Sequence, residues 1–473
     1  MVFSSITFLV GFLPLFILFY QWVGKKYKNA YLLFTSILFY SWGAPQFIFV
    51  ILLTTVIDFF LVRKMDAMET MMGRKALLAL SLSINIGLLV YFKYANFFIE
   101  NINAVTGYFG IAPIIWVKLL LPIGISFYTF ETITYVIDVY RKVHKPLRNF
   151  WDYQLYIILF PKLIAGPIVR FHSIADQITD RNETIDDKLH GFIRFCIGLG
   201  KKILIANVLG EQANAIMDMP SHNISSSMLW IGILSYTFQI YFDFSGYSDM
   251  ALGLAKMVGF TIPENFDNPY NAKSISEFWR RWHISLGQWM KNYLYIPLGG
   301  NRSNTQYKVL FNLIFVFFIS GLWHGASWNF VIWGMFHGFF LILDRLFLLK
   351  LLDKLGTFFS VIFTFLAVAI GWVFFRIEGF QEAIHYIIRL FDLKQGTTPI
   401  AMQPQFIFIF IMAIIFSFSN LFSLGRKMQQ LMYVGNNTNK WYISILSVSI
   451  MILILALSNI TTEGFNPFIY FRF

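Results

Sequence analysis

The chain alternates long apolar stretches with short polar loops, and the apolar stretches are about as long as a membrane is thick. A helix needs about 20 apolar residues to cross the hydrocarbon core of a bilayer. About eleven segments approach or exceed this length, at residues 5–22, 30–43, 45–62, 76–97, 113–140, 151–170, 190–208, 226–258, 309–347, 355–377 and 401–424, with a final one near 441–460. The pattern predicts an all-α, polytopic membrane protein with about eleven transmembrane helices.

Two of these segments are longer than one perpendicular span. Segments 113–140 and 309–347 are therefore expected to be tilted, broken or doubled. The chain contains no heptad repeat, no linker rich in proline or serine and no low-complexity tract. We interpret residues 1–473 as a single membrane domain.

Basic residues cluster in the loops between apolar segments, and their positions predict the orientation. The clusters at 25–28, 63–75 and 141–148 lie on one side of the membrane when two spans separate each from the next. The positive-inside rule makes that side cytoplasmic. The same reasoning places loop 262–308 in the cytoplasm and predicts that both the N-terminus and the C-terminus are extracytoplasmic.

Composition agrees with a membrane protein, because 57% of the residues are hydrophobic and only 13% are charged. The net charge of +12 arises from loop residues that act as topology signals, so we expect no binding to nucleic acid. The first apolar segment has no basic residue before it, so we expect it to stay as a span and not to be a cleaved signal peptide. Cys196 is the one cysteine, which excludes a disulfide framework and a thiolate-rich metal site.

Ionisable residues inside apolar segments are candidates for function, because they are costly at membrane depth. The stretch QIYFDFSGYSDM contains Asp243 and Asp249, and ISGLWHGASWNFVIWGMFHG contains His324 and His337. Either aspartate can instead pair with a basic residue of a neighbouring segment and stabilise helix packing. The two histidines are thirteen residues apart, about 220° around an ideal helix, so they do not form a simple metal pair. We interpret His337 as structural and expect no bound metal.

His324 has surroundings that suit a reaction. It lies about fifteen residues into its span, about 22 Å along the helix axis and near the middle of the membrane. Gly321 and Gly325 allow another backbone or a substrate to approach closely, and Trp323 and Trp328 can form the walls of a cavity. These residues alone leave two interpretations open, a catalytic histidine or a buried histidine that bonds to a neighbouring helix.

Loop 262–308 contains a second pattern. Residues 274–293 have apolar side chains at spacings of three and four, which predicts an amphipathic helix in the membrane interface, capped by Ser274 or Ser276. Its basic residues can bind the phosphates of lipid headgroups or those of a cytosolic donor such as a coenzyme A. The basic residues are Arg280, Arg281 and Lys291. His283 lies among them, where it can line an entrance.

Several long motifs resemble one known family. In chain order they are MVFSSITFLVGFLP, FPKLIAGPIVRF, FDFSGYSDMALGLAKMVGF, NFDNPYNAKSISEFWRRWHISLGQWMKNYLYIPLGGNR and GLWHGASWNFVIWGMFHG. They resemble the membrane-bound O-acyltransferases, in the bacterial branch that contains alginate O-acetylase and the peptidoglycan or wall-polysaccharide O-acetyltransferases. The resemblance implies tilted, re-entrant and interfacial helices around a central funnel that opens to the cytoplasm and narrows to a tunnel at mid-membrane.

The resemblance also implies roles for individual residues. His324 matches the catalytic histidine of the family, and His283 matches a second histidine that is catalytic or supports catalysis. Further candidates for the donor site or the tunnel are Arg280, Arg281, Trp323, Trp328, Asn329 and Asp243.

The implied function is O-acylation across a bacterial cytoplasmic membrane. An acyl group, expected to be acetyl, passes from a cytosolic thioester such as acetyl-CoA to an extracytoplasmic polysaccharide, with a serine-hydrolase-type acyltransferase as the outer partner and no permanently bound cofactor. One alternative is D-alanyl transfer from a carrier protein to teichoic acid. The other is a transporter without catalysis, which would predict an internal repeat that we do not find.

The last residues, FIYFRF, form an aromatic tail within residues 464–473, which we expect outside the membrane. Such a tail either anchors in the interface or docks in an apolar site. It resembles a phenylalanine-x-tyrosine-x-x-phenylalanine ending found in some of these systems, which maps to Phe468, Tyr470 and Phe473. The resemblance implies that Tyr470 carries the acyl group as a covalent relay.

Overall fold

A computed structural model describes residues 1–302, 305–392, 396, 400–433, 439–463 and 467–469. Within these ranges the chain forms helices and no strand, and an isolated bridge joins Phe266 to Trp282. The predicted all-α fold is confirmed.

The described residues contain twenty α-helices, which we number in chain order. They are α1 Leu13–Trp22, α2 Lys28–Gly43, α3 Ile48–Ala67, α4 Met71–Gly107, α5 Ile125–Tyr140, α6 Phe150–Ile158, α7 Phe160–Leu163, α8 Phe171–Thr179, α9 Ile185–Gly200, α10 Asn207–Met217, α11 Ser226–Met257, α12 Ile275–Arg281, α13 Ile284–Trp289, α14 Gln306–His324, α15 Trp328–Leu343, α16 Leu349–Arg376, α17 Phe380–Phe391, α18 Pro404–Phe418, α19 Ser423–Tyr433 and α20 Asn439–Glu463. Wider π-helical turns occur at Thr7–Phe12, Lys201–Ala206, Met290–Tyr295 and Asp344–Leu348. Short 3₁₀ turns occur at Lys25–Tyr27, Ser221–Asn223, Pro269–Asn271, Gly300–Arg302 and Ser419–Leu421.

Some helical stretches are long and apolar enough to cross a membrane, counting neighbouring helical elements that continue into each other as one. Within the described ranges there are five such stretches, Met71–Gly107, Gln306–His324, Trp328–Arg376, Pro404–Leu421 and Trp441–Thr462. A shorter apolar helix covers Thr7–Trp22. The chain is a multi-pass membrane protein, while the number of about eleven spans stays a prediction.

The chain divides into two compact units, the first made of Met1–Asp187 and Ala255–Pro263, the second of Lys188–Leu254 and Glu264–Phe473. The interpretation of the whole chain as one membrane domain stays a prediction. All residues of the candidate site described below belong to the second unit.

Two buried carboxylates of the first unit, Asp58 and Glu131, have polar partners on other helices. Asp58 accepts hydrogen bonds from Ser81 Oγ at 2.5 Å and from Asn85 Nδ2 at 2.8 Å. Glu131 forms a fully buried ion pair with Lys162. Each buried charge therefore has its partner on another segment, as polar groups in an apolar interior require.

In the second unit, glycines bring α9 and α11 into backbone contact. A Cβ atom on Gly246 would lie 2.7 Å from the carbonyl oxygen of Gly198, and one on Gly253 would lie 2.7 Å from the amide nitrogen of Phe195. Small residues allow two membrane helices to approach this closely. The contact brings Lys202, just after α9, within 2.9 Å of Asp243 on α11.

The two overlong apolar segments are both interrupted. Residues 111–121 have no regular structure, and α5 begins only at Ile125. Residues 309–347 form two helices, α14 and α15, separated by the short turn 325–327. The turn is possible because Gly321 and Gly334 face each other. A Cβ atom on Gly321 would overlap the carbonyl oxygen of Phe330, and one on Gly334 would overlap that of Phe317.

We predict that Gly321→Ala destabilises the protein by about 1–3 kcal/mol, because the added methyl group forces α14 and α15 apart. Gly87→Ala is the matched control, since Gly87 is exposed within α4 and its Cβ position is empty. Alanine there is expected to leave stability unchanged or raise it by about 0.5–1 kcal/mol. Thermal unfolding of the purified variants in detergent measures both effects. Equal melting temperatures for the two variants would contradict the proposed helix contact.

Candidate active site

His324 is enclosed by aromatic rings. It is the last residue of α14, and only 4% of its surface is exposed. Its ring centroid lies 4.9 Å from those of both Trp323 and Trp333, and 5.4 Å from that of Phe375. The three rings approach the imidazole edge to face and form a largely apolar enclosure around it.

His283 is also buried, in the short break between α12 and α13. Its backbone has a φ of 45°, in the left-handed region that residues other than glycine rarely adopt. Strained conformations of this kind cluster at functional sites. Here the strain follows from a chain reversal that directs the imidazole into the protein, where 1% of its surface is exposed.

Asn265 determines which nitrogen of His283 carries the hydrogen. Asn265 Oδ1 accepts hydrogen bonds from the amide nitrogen of Ser285 at 3.2 Å and from its hydroxyl at 2.8 Å, so this atom is an acceptor. His283 Nδ1 lies 3.1 Å from the same oxygen and therefore acts as the donor. In the neutral imidazole, Nε2 then keeps its lone pair and can accept a proton.

Trp323 joins the two predicted histidines. Its ring centroid lies 5.9 Å from that of His283 and 4.9 Å from that of His324. Residues 41 positions apart in the sequence thus meet at one tryptophan. The structure brings His283, Trp323 and His324 together, as their candidate roles require.

The predicted amphipathic helix differs from the expectation. Residues 274–293 form α12, α13 and a π-helical turn, and do not continue as one helix. The apolar positions identified from their spacing are all buried, at Phe278, Trp282, Leu286, Trp289 and Tyr293. The expectation of one continuous helix is therefore wrong, while the location of this segment in the membrane interface stays a prediction. The predicted cap is present at Ser274, whose hydroxyl accepts from the amide nitrogen of Glu277 at 3.1 Å.

The arginines of this segment lie on its polar side. Arg280 is exposed, while Arg281 forms ion pairs with Glu277 at 2.8 Å and Asp267 at 3.4 Å. Arg281 also borders a polar cavity of about 480 Å³. The cavity is lined by Asp267, Asn271, Lys273, Glu277, Arg281, Thr357, Asn420, Leu421, Arg426, Gln429 and Gln430. Its lining is polar and of mixed charge, unlike the aromatic enclosure around His324.

Trp328 and Asn329 are the first two residues of α15. Trp328 is 57% exposed, whereas Trp333 contacts the ring of His324, and a place for Trp328 in a cavity wall stays a prediction. Asn329 donates from Nδ2 to the carbonyl oxygens of Ile377 at 2.5 Å and Gly379 at 3.3 Å. Asn329 thus ties the start of α15 to the link between α16 and α17.

His337 is fully buried among aromatic rings. Its ring centroid lies 5.1 Å from those of both Trp279 and Trp333. His324 contacts the same Trp333 ring at 4.9 Å. Both histidines therefore contact one tryptophan, and the structural role of His337 stays a prediction.

Asp243 contacts both a basic side chain and the backbone near the end of the described residues. It forms an ion pair with Lys202 at 2.9 Å, and its Oδ2 accepts from the amide nitrogen of Ile469 at 2.8 Å. Pairing with a basic residue was one of the two interpretations from sequence. Tyr470 and Phe473 lie outside the described residues.

Sequence reasoning missed Asn265, Trp333 and Phe375. Asn265 lies eighteen residues before His283, in the motif NFDNPYN, and Trp333 lies nine residues after His324. In the sequence, these residues stand out only because they lie within or near the long motifs. A position in a motif does not show which residue will contact a histidine.

Comparison with known proteins identifies clear relatives. Residues 141–377 match the model of the membrane-bound O-acyltransferase family, MBOAT. The chain is 36% identical to the probable alginate O-acetylase AlgI of Azotobacter vinelandii, over the full length of both. It is 34% identical to the peptidoglycan O-acetyltransferase of Helicobacter pylori, over 79% of this chain and 76% of that protein. It is 27% identical to the teichoic acid D-alanyltransferase of Streptococcus thermophilus, over 49% of this chain and 59% of that protein.

We predict that His283 stays neutral with its hydrogen on Nδ1. Burial lowers the pKa of this histidine, which lies outside the five membrane-length helices, to about 3. It should therefore not titrate at about pH 5 to 8, where an ordinary histidine with a pKa of about 6.5 does. Nitrogen-15 NMR of histidine-labelled protein, with His283→Gln to assign the signal, measures both properties. A signal that titrates near pH 6.5, or a hydrogen on Nε2, would contradict the geometry.

Proposed function

The chain belongs to the membrane-bound O-acyltransferase family and is an acyltransferase, and we propose that it transfers an acetyl group from cytosolic acetyl-CoA to an extracytoplasmic polysaccharide. The names of its full-length relatives support the acetyl group and the polysaccharide acceptor. The proposed location is the bacterial cytoplasmic membrane, with loop 262–308 in the cytoplasm and both termini outside.

The observation that carries this proposal is the enclosed pair of histidines around Trp323. A base that accepts a hydroxyl proton must be neutral and close to the reacting oxygen. His324 is placed at the end of α14, where the partial negative charge of a helix C-terminus favours a positive charge on a nearby side chain. His283, whose orientation is fixed by the hydrogen bond to Asn265, is the supporting residue.

In the proposed reaction, His324 takes the proton from an acceptor hydroxyl while its oxygen attacks the carbonyl carbon of the thioester. A carbon–oxygen bond forms, the carbon–sulfur bond breaks, and the thiolate takes the proton from the imidazolium. The products are an ester and free coenzyme A. The apolar walls formed by Trp323, Trp333 and Phe375 exclude water, which would otherwise hydrolyse the thioester.

On the donor side, we propose that the basic residues of loop 262–308 bind the phosphates of acetyl-CoA. Arg280 is exposed, and Arg281 borders the polar cavity. Lys273 and Arg426 line the same cavity and add positive charge. Coenzyme A is a substrate in this scheme, and we propose no permanently bound cofactor.

On the acceptor side, we propose that Tyr470 receives the acetyl group first. A phenol has a pKa of about 10 and is far easier to deprotonate than a sugar hydroxyl. Its aryl ester is also a better acyl donor than an alkyl ester, so it can pass the group onward. From Tyr470 the acetyl group passes to a serine-hydrolase-type acyltransferase outside the membrane. This partner then transfers the group to the polysaccharide.

D-alanyl transfer to teichoic acid is the alternative within the same family. The teichoic acid D-alanyltransferase of Streptococcus thermophilus is 27% identical over 49% of this chain, whereas the probable alginate O-acetylase is 36% identical over all of it. The greater identity over the greater length favours acetyl transfer.

We predict that His324→Ala reduces acetyl transfer by at least about 100-fold, the usual contribution of a general base. Protein level and melting temperature should stay near those of the wild type, since the aromatic walls remain. His385→Ala, a change at an exposed histidine of α17, is the control and should keep full activity. Transfer is measured with radiolabelled acetyl-CoA and purified protein in lipid nanodiscs. Substantial transfer by the alanine variant would rule out His324 as the base.

We predict that Tyr470→Phe abolishes polysaccharide acetylation, because it removes the hydroxyl group and keeps the aromatic ring. Mass spectrometry of the wild-type C-terminal peptide should detect an added acetyl group at Tyr470 after incubation with acetyl-CoA. The adduct should be missing from His324→Ala protein. Full acetylation by the phenylalanine variant would refute the relay and leave the assignment of His324 untouched.

A further inference from the structure

A short segment near the end of the chain is buried in the second unit. Phe468 and Ile469 are 1% and 3% exposed, although they follow the membrane-length helix α20. Such burial needs a site that accepts the polar backbone of the segment as well as its apolar side chains.

The polar contacts come from one buried ion pair. Asp243 Oδ2 accepts from the amide nitrogen of Ile469 at 2.8 Å, and Lys202 Nζ donates to the carbonyl oxygen of Pro467 at 3.3 Å. Lys202 and Asp243 lie 2.9 Å apart, and both side chains are almost fully buried. The segment thus provides one hydrogen-bond donor to the Asp243 carboxylate and one acceptor to the Lys202 ammonium group. Removing two charges from water is costly unless further hydrogen bonds complete the pair.

The apolar contacts place the same segment next to the candidate active site. The ring of Phe468 stacks on Tyr247 at 4.6 Å and lies 5.9 Å from Phe244. Phe244 in turn lies edge to face with His283 at 4.8 Å. A continuous series of ring contacts therefore leads from Phe468 through His283 and Trp323 to His324.

The packing of α9 against α11 does not by itself explain why Lys202 and Asp243 form a buried ion pair. The backbones of α9 and α11 already meet at their glycines, and a second ion cluster joins the same two segments. In that cluster Asp249 binds Arg194 at 2.9 Å and Lys201 at 2.6 Å. Lys202 and Asp243 differ from these residues because both bind the backbone of residues 467–469.

We propose that Lys202 and Asp243 form a binding site for the backbone of Pro467–Ile469, and that this site anchors the segment beside His283. Tyr470 is the next residue in the sequence, and the dependence of acyl transfer on this anchor rests on the proposed function. Lys202 and Asp243 are positioning residues in this scheme, since they bind the segment and do not contact the reacting atoms.

The first test removes both charges together. Lys202→Met with Asp243→Leu replaces the pair by apolar side chains, a change that buried ion pairs often tolerate. In hydrogen exchange followed by mass spectrometry, the amides of Phe468 and Ile469 should exchange at least about tenfold faster, the factor that one charged hydrogen bond is worth. Acetyl transfer should fall in kcat, with KM for acetyl-CoA unchanged. Lys201→Met is the matched control, because Asp249 keeps Arg194 and the segment keeps both its contacts.

The second test leaves α9 and α11 intact. Ile469→Pro removes the amide hydrogen that binds Asp243, fixes φ and replaces the buried isoleucine side chain, while Ile469→Val keeps the amide hydrogen and most of the side chain. The proline variant should lose exchange protection at Phe468 and lose transfer, and the valine variant should keep both. This pair of variants decides the question even when the double charge variant does not fold.

Either of two outcomes would overturn the proposal that this anchor positions the reaction. Unchanged exchange at residues 468 and 469 in the double variant, together with unchanged exchange at residue 468 in the proline variant, would show that the ion pair does not bind the segment. Faster exchange with unchanged acetyl transfer would show that the anchor exists but does not position the reaction. The exchange measurement needs no substrate, so it stands even when wild-type protein has no acetyl-transfer activity and the proposed function fails.

Discussion

The contact between Gly321 of α14 and Gly334 of α15 is the constraint on which the candidate site depends. Each glycine leaves room for a backbone carbonyl of the opposite helix, from Phe330 and Phe317. The two backbones can therefore run side by side and reverse within residues 325–327. His324 ends one helix and meets Trp333 of the other. Any larger side chain at the contact would separate the histidine from its walls.

Buried charges form a second level of organisation. An unpaired charge is costly in an apolar environment. Each buried charge discussed here therefore has a polar partner on another segment, and the pair links the two segments. Asp344 accepts from the amide nitrogen of Ser276 at 2.8 Å and so links the end of α15 to the start of α12. Lys202 and Asp243 do the same for residues 467–469. These links hold short segments, which have little packing surface of their own, against the long helices.

The two histidines occupy different structural settings, and this suits different roles in the proposed reaction. His324 ends a membrane-length helix and is surrounded by rings, an environment that excludes water. His283 lies in a strained break, and a hydrogen bond to Asn265 fixes its tautomer. A base that must move a proton needs room for substrate, whereas a supporting residue needs a fixed orientation. Trp323 contacts both and gives them a common wall.

The class of the protein and its main candidate residues could be predicted from the order of residues along the chain. Apolar runs of membrane length are a local property, so they predicted the all-α membrane fold, and the long motifs identified His324 and His283. The positions of the helix breaks were only partly predictable. The excess length of segment 309–347 indicated a break, whereas the regular spacing of apolar residues in 274–293 gave no sign of the break at His283.

The contacts between distant residues became clear from the packed fold. Asn265 binds His283 across eighteen positions, Trp333 contacts His324, and Asp243 binds both Lys202 and Ile469. Periodicity specifies which face of a helix is buried, but it does not specify the side chain on another segment that the face will contact. That choice depends on helix separation and chain reversal, which arise from the packing of the whole unit.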